Sequence, residues 1–194
     1  MSSELSVIND GLVRLGVPPI ASLSDASAQS IGAENIYPRE RAAALADFPW
    51  SFATKQVQPS QLTIPKGSRD WEGFEYVYQI PSDSVRIMGL ASGADYWVSG
   101  SHLYTDVKEP SLVYIANVEE SYWPEFFARA VSLRFAAATA IMLTDATTRA
   151  DLMYQQAQQA MQRARSLDSQ QIPSMVFNLM RIYSKRSTNF MAGA

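Results

Sequence analysis

The sequence predicts an α+β fold: an antiparallel helical bundle built from both chain ends, an inserted small antiparallel β-sheet or sandwich, and an extended C-terminal arm. Apolar residues recur at helical spacing as far as Phe48, fall to a period near two over residues 54–118, and return to helical spacing after Pro124. Helices segregated from short strands are typical of the α+β class. The predicted divisions are 1–49 and 121–167 for the two parts of the bundle, 50–120 for the inserted β domain, and 168–194 for the arm.

The first helix is predicted to begin after Ser2 or Ser3 and to end at Gly16. A serine hydroxyl accepts a hydrogen bond from the free amides of a first helical turn. Glycine adopts the left-handed conformation that closes helices, and the following Pro18-Pro19 cannot continue one. The apolar stripe of this helix consists of Leu5, Ile8, Leu12 and Leu15.

The second helix is predicted to be capped by Ser24 or Asp25. Pro38 lies inside it, and an interior proline removes one backbone hydrogen bond and clashes with the preceding turn. We therefore expect either a kink or two abutting helices, over about 25–36 and 38–47.

The chain changes from helix to strand at Pro49, which has no amide proton to continue a helix. Trp50 and Phe52 alternate along the segment that follows. Pro49, Trp50 and Phe52 are therefore the predicted structural junction, with both rings packed where the sheet meets the bundle.

The middle of the chain is predicted to contain seven short strands. Turn residues cluster at 92–94 and 99–101, at the spacing of hairpins. Tyrosine and tryptophan, which strands favour, recur throughout. The candidate strands are 54–58, 61–64, 74–80, 84–91, 95–99, 102–107 and 111–117.

Two further helices are predicted after Pro124, which suits a first helical turn. The first runs to about Leu143 and is apolar on two faces, which predicts that it is sandwiched between neighbours. Its stripes comprise Phe126, Ala130, Leu133, Ala137 and Ile141, and Phe127, Val131, Ala138 and Met142. The second covers about 147–167, and its small inner residues favour close antiparallel packing against the first.

The predicted C-terminal arm, 168–194, is apolar over residues 172–183, yet no local core remains to receive it. Its formal charge is +2, against −5 for the rest of the chain. An apolar arm of this kind docks on another subunit; the alternative is that it packs back on its own helices. The predicted partner-interface residues are Phe177, Met180, Arg181, Tyr183, Lys185 and Arg186.

Composition argues against several classes of function. The chain has no cysteine, which excludes disulfides, thiolate nucleophiles and Cys-ligated zinc. A net charge of −3 argues against a protein that grips nucleic acid by its phosphates. No uninterrupted apolar run approaches the ~20 residues of a membrane span, and no secretory signal is visible at the N-terminus.

Motifs for catalysis and cofactor binding are also missing from the sequence. His102 is the single histidine, so it has neither a second histidine nor a cysteine with which to bind a transition metal. No Gly-x-Ser-x-Gly elbow accompanies it, and no glycine-rich nucleotide loop is found. The sequence therefore predicts no catalytic, cofactor-binding or metal-binding residue.

Paired carboxylates beside aromatic residues are the one enzymatic option left open. Glycosidases place two carboxyl groups across a sugar, often next to aromatic platforms. The acids that flank Trp71, Tyr122 and Trp123 are Asp70, Glu72, Glu75, Glu119, Glu120 and Glu125. The alternative is that such acids sit in solvated loops or near the positive end of a helix.

Five short motifs follow one another at characteristic spacings. They are Asn9 with Leu12-x-x-Leu15-Gly16, Pro49-Trp50-x-Phe52-Ala53, Tyr78-x-x-Pro81-x-Asp83-x-x-Arg86, His102-Leu103-Tyr104-Thr105-Asp106 and Trp123-Pro124-x-x-Phe127. In this order they resemble the tail tubular protein A family, the head–tail adaptors of short-tailed bacteriophages. The resemblance covers about residues 4–165.

That resemblance implies a structural virion protein that forms a ring, of twelve copies, between the portal protein and a nozzle of the tail tubular protein B type. DNA would pass through the lumen without specific binding during genome ejection, with no cofactor and no membrane. The protein would be assembled in the bacterial cytoplasm and reside at the head–tail junction. Three alternatives stay open. One is a head-completion adaptor of a long-tailed phage or gene-transfer particle, and another is hydrolysis of polysaccharide or peptidoglycan, which has been ascribed to some members. The third is a host-derived binding module.

Overall fold

The α+β class is confirmed by a computed structural model, which describes residues 2–63 and 73–171. The described residues form two compact units. The helical unit comprises residues 2–52 and 118–171, and the sheet unit comprises residues 53–63 and 73–117. The helices of the first unit are α1 (Glu4–Arg14), α2 (Ala28–Ala46), a single 3₁₀ turn (Glu120–Tyr122), α3 (Glu125–Thr144) and α4 (Thr147–Gln171).

Helix α1 begins and ends at predicted residues. The Ser3 and Ser6 side chains each accept a hydrogen bond from the other residue's amide, at 3.2 and 2.8 Å. Gly16 has a φ of +71°, in the left-handed region that favours glycine. The amide side chain of Asn9 then donates to the carbonyl of Ile20 and accepts from its N–H, at 3.0 and 2.9 Å. Asn9 thereby fixes the turn that follows α1.

Helix α2 departs from the expected cap and from one of the two alternatives expected at Pro38, while the other, a kink, stays a prediction. Its N-cap is Ser27, because Ser24 and Asp25 are engaged with Ser22 in the preceding turn. The expectation of two abutting helices is wrong, since one helix runs through Pro38 from Ala28 to Ala46. A missing amide costs one hydrogen bond, and the packing of the buried face of the helix on both sides of the proline outweighs that loss.

Helix α3 packs against α1, α2 and α4 and forms the centre of the helical unit. Phe127, Val131 and Leu133 are buried. Towards its C-terminus both predicted stripes reach the surface, because Ile141 and Met142 are 57% and 49% exposed. The two-faced burial predicted for this helix therefore applies to its first half only.

By length and composition, α3 is also apolar enough to cross a membrane. In its most apolar window 56% of the residues are buried inside the protein, as in the core helix of a packed bundle. Counting uninterrupted apolar residues does not detect this helix, since Arg129 and Arg134 break the run.

Helix α4 lies along α3 and continues to Gln171, four residues past the boundary expected from the sequence. Small and flexible inner side chains allow the close approach of the two helices. The shared core comprises Leu15, Leu133, Ala136, Ala140, Met153 and Ala157.

The sheet unit contains seven strands close to the predicted ones. They are β1 (Thr54–Val57), β2 (Gln61–Leu62), β3 (Tyr76–Gln79), β4 (Ser84–Leu90), β5 (Tyr96–Ser99), β6 (His102–Thr105) and β7 (Leu112–Ala116). They form two antiparallel sheets, with strand orders β1-β7-β4 and β2-β3-β6-β5.

The first and last strands of the sheet unit are neighbours. Thr54 of β1 pairs with Ile115 of β7, and just beyond them the amide of Ala116 donates to the carbonyl of Ala53 at 2.8 Å. The two ends of the inserted segment therefore lie side by side.

Candidate functional site

The predicted junction residues build an aromatic cluster inside the helical unit. The Trp50 ring is fully buried, with its centroid 4.7 Å from that of Phe127 and 5.0 Å from that of Phe48. The ring centroids of Phe52 and Phe127 are also 5.0 Å apart. The indole N–H of Trp50 donates to the carbonyl of Ala44 at 2.9 Å, near the end of α2. The cluster thus fixes the direction in which the chain leaves α2.

A buried carboxylate holds the end of α4 to the same segment. Asp168 has no exposed surface and accepts two hydrogen bonds from Ser51, from its amide at 2.9 Å and from its hydroxyl at 2.7 Å. Two donors satisfy a charge that burial alone would make costly. We call this pair the Ser51–Asp168 latch.

Sequence reasoning misses this role of Asp168, because it places the residue at the start of the arm. The buried positions 157, 161, 164 and 168 of α4 recur at helical spacing, and that pattern was the available signal. Its partner could not be identified, because 117 residues separate the two.

A second buried ionic network joins α2 to the 3₁₀ turn. The Glu120 carboxylate accepts from the Tyr37 hydroxyl at 2.9 Å and lies 3.1 Å from the Arg41 Nε. The Arg41 guanidinium also donates to the carbonyl of Val118 and lies 5.8 Å from the centre of the Trp123 ring. Burial, and secondarily the Glu120 carboxylate, raise the pKa of Tyr37 far above its ordinary value. The Tyr37 hydroxyl therefore stays protonated and donates its hydrogen bond to the Glu120 carboxylate.

The four candidate carboxylates that the structure describes have different environments, and one of them, Glu119, is exposed immediately before the 3₁₀ turn. Glu120 is buried and held by two partners, whereas a glycosidase acid must reach a sugar. Glu125 lines a groove in which no second acid is found among the described residues. Glu75 accepts from the hydroxyl of the adjacent Tyr76 at 2.9 Å. Asp70 and Glu72 lie outside the described residues.

His102 occupies the first position of β6, where it pairs with Gln79 and Ser99 on the neighbouring strands. Its ring is half-buried and stands edge-on to Tyr104, with centroids 6.4 Å apart. Within residues 2–63 and 73–171, no group of three potential ligands is placed to hold a metal ion.

Asp83, from the turn between β3 and β4, has two side-chain partners within the sheet unit. It accepts from the Lys55 ammonium at 2.8 Å and from the Tyr114 hydroxyl at 3.0 Å. The Lys55 hydrogen bond, helped by that of Tyr114, lowers the pKa of Asp83 below its usual value of 3.8. Asp83 thereby ties the turn to β1 and β7.

The predicted partner-interface residues cannot be placed, because all of them lie outside the described residues: Phe177, Met180, Arg181, Tyr183, Lys185 and Arg186. No family model matches the chain, and no curated protein matches it in sequence.

Proposed function

We propose that this protein is a structural component of a phage virion: a head–tail adaptor that forms a ring of twelve copies between the portal and the tail nozzle and gives the genome a channel for ejection. The observation that carries the proposal is the ordered set of five motifs, together with what their residues do. Asn9, Asp83 and Asp106 of these motifs make hydrogen bonds that tie neighbouring segments of the fold.

Each motif marks an element boundary. Asn9 closes the turn after α1, and Trp50 closes the exit from α2. Asp83 ties the β3–β4 turn, while Asp106 accepts from the amide of Glu75 at 2.9 Å. The Trp123 N–H donates to the carbonyl of Val118 at 2.9 Å, just before α3. A protein that works by assembly needs the same shape in every copy, and such ties provide it.

Charge supports a lumen that does not hold DNA. Twelve copies, each at −3, carry −36. With a Debye length of ~8 Å at physiological salt, wall charges act over the gap beside the duplex, so an acidic wall repels the sliding genome. A basic wall would retain DNA through counterion release. The basic C-terminal arm is therefore proposed to point away from the lumen, into the portal or a neighbouring subunit.

The test is a mass measurement of the chain alone and mixed with the portal ring of the same particle. We expect a monomer or weak associate alone and twelve bound copies per portal, because a ring that closed early would waste subunits. A stable closed ring without portal would contradict templated assembly. Absence of any portal binding would contradict the adaptor role itself and favour a head-completion protein of another particle type.

Hydrolysis of capsule or peptidoglycan is the alternative from a different class. Glu120 is buried and paired with Arg41, which argues against catalysis by the acids that flank Tyr122 and Trp123. A zymogram containing either polymer tests this directly, and we expect no cleared zone. A cleared zone that persisted in a Glu125→Gln variant but not in a Glu72→Gln variant would assign the activity to the acids that flank Trp71.

A further inference from the structure

A groove runs along one side of the α3–α4 pair. It has a volume of about 570 Å³. Its lining is mixed: Phe126, Ala160 and Leu167 are apolar and partly exposed, Gln156 and Gln159 are polar, and Leu133 and Ala164 are buried at its base. Arg129 of α3 and Arg163 of α4 line the same groove, with Glu125 at the start of α3. We call it the arginine groove.

These two arginines are uncompensated. Every other arginine of α1, α3 and α4 has a hydrogen bond or an ion pair: Arg14 with Asp10, Arg134 with Glu40 and Asp47, Arg149 with the carbonyl of Leu15, and Arg165 with Asp47. The guanidinium groups of Arg129 and Arg163 have neither among the described residues. Glu125, one turn before Arg129, makes no ion pair with it in this structure.

The opposite side of the same helix pair provides a direct comparison. A second groove of about 590 Å³ contains Glu40, Asp47, Arg134 and Arg165. Its four charges neutralise one another, because Arg134 lies 3.0 Å from Glu40, and both arginines approach Asp47. Among the described residues, Arg134 and Arg165 of the second groove therefore have acidic partners, whereas the side chains of Arg129 and Arg163 have none.

We propose that the arginine groove binds an apolar helical segment of a partner protein that carries a carboxylate between its apolar residues. A helix fits because the lining extends from Gln156 to Leu167, about 16 Å at 1.5 Å per residue, which equals three helical turns. Its apolar face would rest on the groove floor, as in helix-in-groove recognition. Its carboxylate would accept from the two guanidinium groups, which suit carboxylate geometry.

The charge of the groove also argues against an alternative occupant, the C-terminal segment of this chain. Residues 172–194 carry three basic side chains and no acidic one. Like charges would then face each other in the groove. The proposal goes beyond the adaptor function and does not depend on it.

The test is selection from a displayed library of random 16-residue peptides, with the full chain as bait. We expect enriched peptides to carry Asp or Glu flanked by apolar residues at helical spacing. A synthetic copy of the best peptide should lose about 10- to 100-fold in affinity for the Arg129→Gln/Arg163→Gln double variant, since each removes a charge-assisted hydrogen bond. Glu125→Gln should strengthen binding, because it removes a like charge.

Arg39→Gln is the matched control. Arg39 is exposed on α2 and also has no hydrogen bond or ion pair among the described residues, but it does not line the groove. It should bind the peptide as the wild type does. Circular dichroism should be unchanged in all variants, since both groove arginines are exposed.

Three outcomes would overturn the proposal. The first is enrichment of basic or uncharged peptides, or of none. The second is equal binding of the selected peptide to the double variant and the wild type. The third is binding of a 24-base-pair DNA duplex at 150 mM salt that the double variant loses, which would assign the two arginines to phosphates instead.

Discussion

Replacing Trp50 with alanine should destabilise the helical unit strongly. The side chain has no exposed surface and contacts Phe48, Phe52 and Phe127. Emptying a large aromatic site of this kind costs about 3–5 kcal/mol. For a chain of this length each kcal/mol lowers the melting temperature by roughly 2–4 °C, so we expect a decrease of roughly 6–20 °C.

Two further variants separate the contributions of the Trp50 ring and its N–H. Trp50→Phe keeps an aromatic ring but removes the donor to the Ala44 carbonyl, which should cost about 1–3 kcal/mol. Trp97→Ala is the matched control, because Trp97 is 47% exposed and should cost less than about 2 kcal/mol.

The assay is thermal unfolding followed by circular dichroism at 222 nm, which reports on the helices. A decrease of less than about 2 °C for Trp50→Ala, the shift expected from under 1 kcal/mol, would refute the packing argument. So would a decrease equal to that of Trp97→Ala, since burial would then not determine the cost.

Truncation after Gln171 should leave the melting temperature of the helical unit unchanged and abolish portal binding, and full decoration of portals by this variant would contradict the role of the arm. Truncation after Leu167 should in addition cost at least about 2 kcal/mol, because it removes Asp168 from the latch. Tyr37→Phe should cost about 1–3 kcal/mol in chemical denaturation by leaving a buried carboxylate short of a donor, and an unchanged midpoint would argue against that network. Because its pKa is lowered in the folded state, the Asp83 carboxylate stabilises the fold above its unfolded pKa of 3.8, and this stabilisation is lost as the pH falls through the folded pKa. The difference in unfolding free energy between wild type and Asp83→Asn should therefore shrink below about pH 4, and a constant difference would contradict the ion pair. Finally, the isolated protein should give no salt-sensitive gel shift with duplex DNA, and low-micromolar affinity at 150 mM salt would favour a nucleic-acid-binding function instead.

The strand content was predictable because each signal is local. Alternation and turn clusters are read within a few residues, and strand β4, predicted as 84–91, runs from Ser84 to Leu90. The first residue of α2 was not predictable, because several polar residues compete to cap the helix. Ser22, Ser24 and Asp25 satisfy one another, and the cap passes to Ser27.

The residues that carry the most specific contacts depend on distant partners and were not predictable. Asp168 looks like one more polar residue in a glutamine-rich helix until Ser51 is placed beside it. In the same way Arg129 and Arg163 resemble other surface arginines by sequence. Only the tertiary structure shows that they line one groove and that, among the described residues, neither side chain has an ion pair.

The hydrogen bond between Ala53 and Ala116 has a consequence for how such a chain can evolve. The sheet unit enters and leaves the chain through adjacent strands, so a short turn could join its flanking segments. Insertions with closely spaced ends are the ones that folded domains tolerate best. We therefore expect a replacement segment with equally close ends to leave the connectivity of the helical unit unchanged. Chimeras that keep residues 1–52 and 118–194 and replace the rest offer a route to new specificities on a constant helical framework.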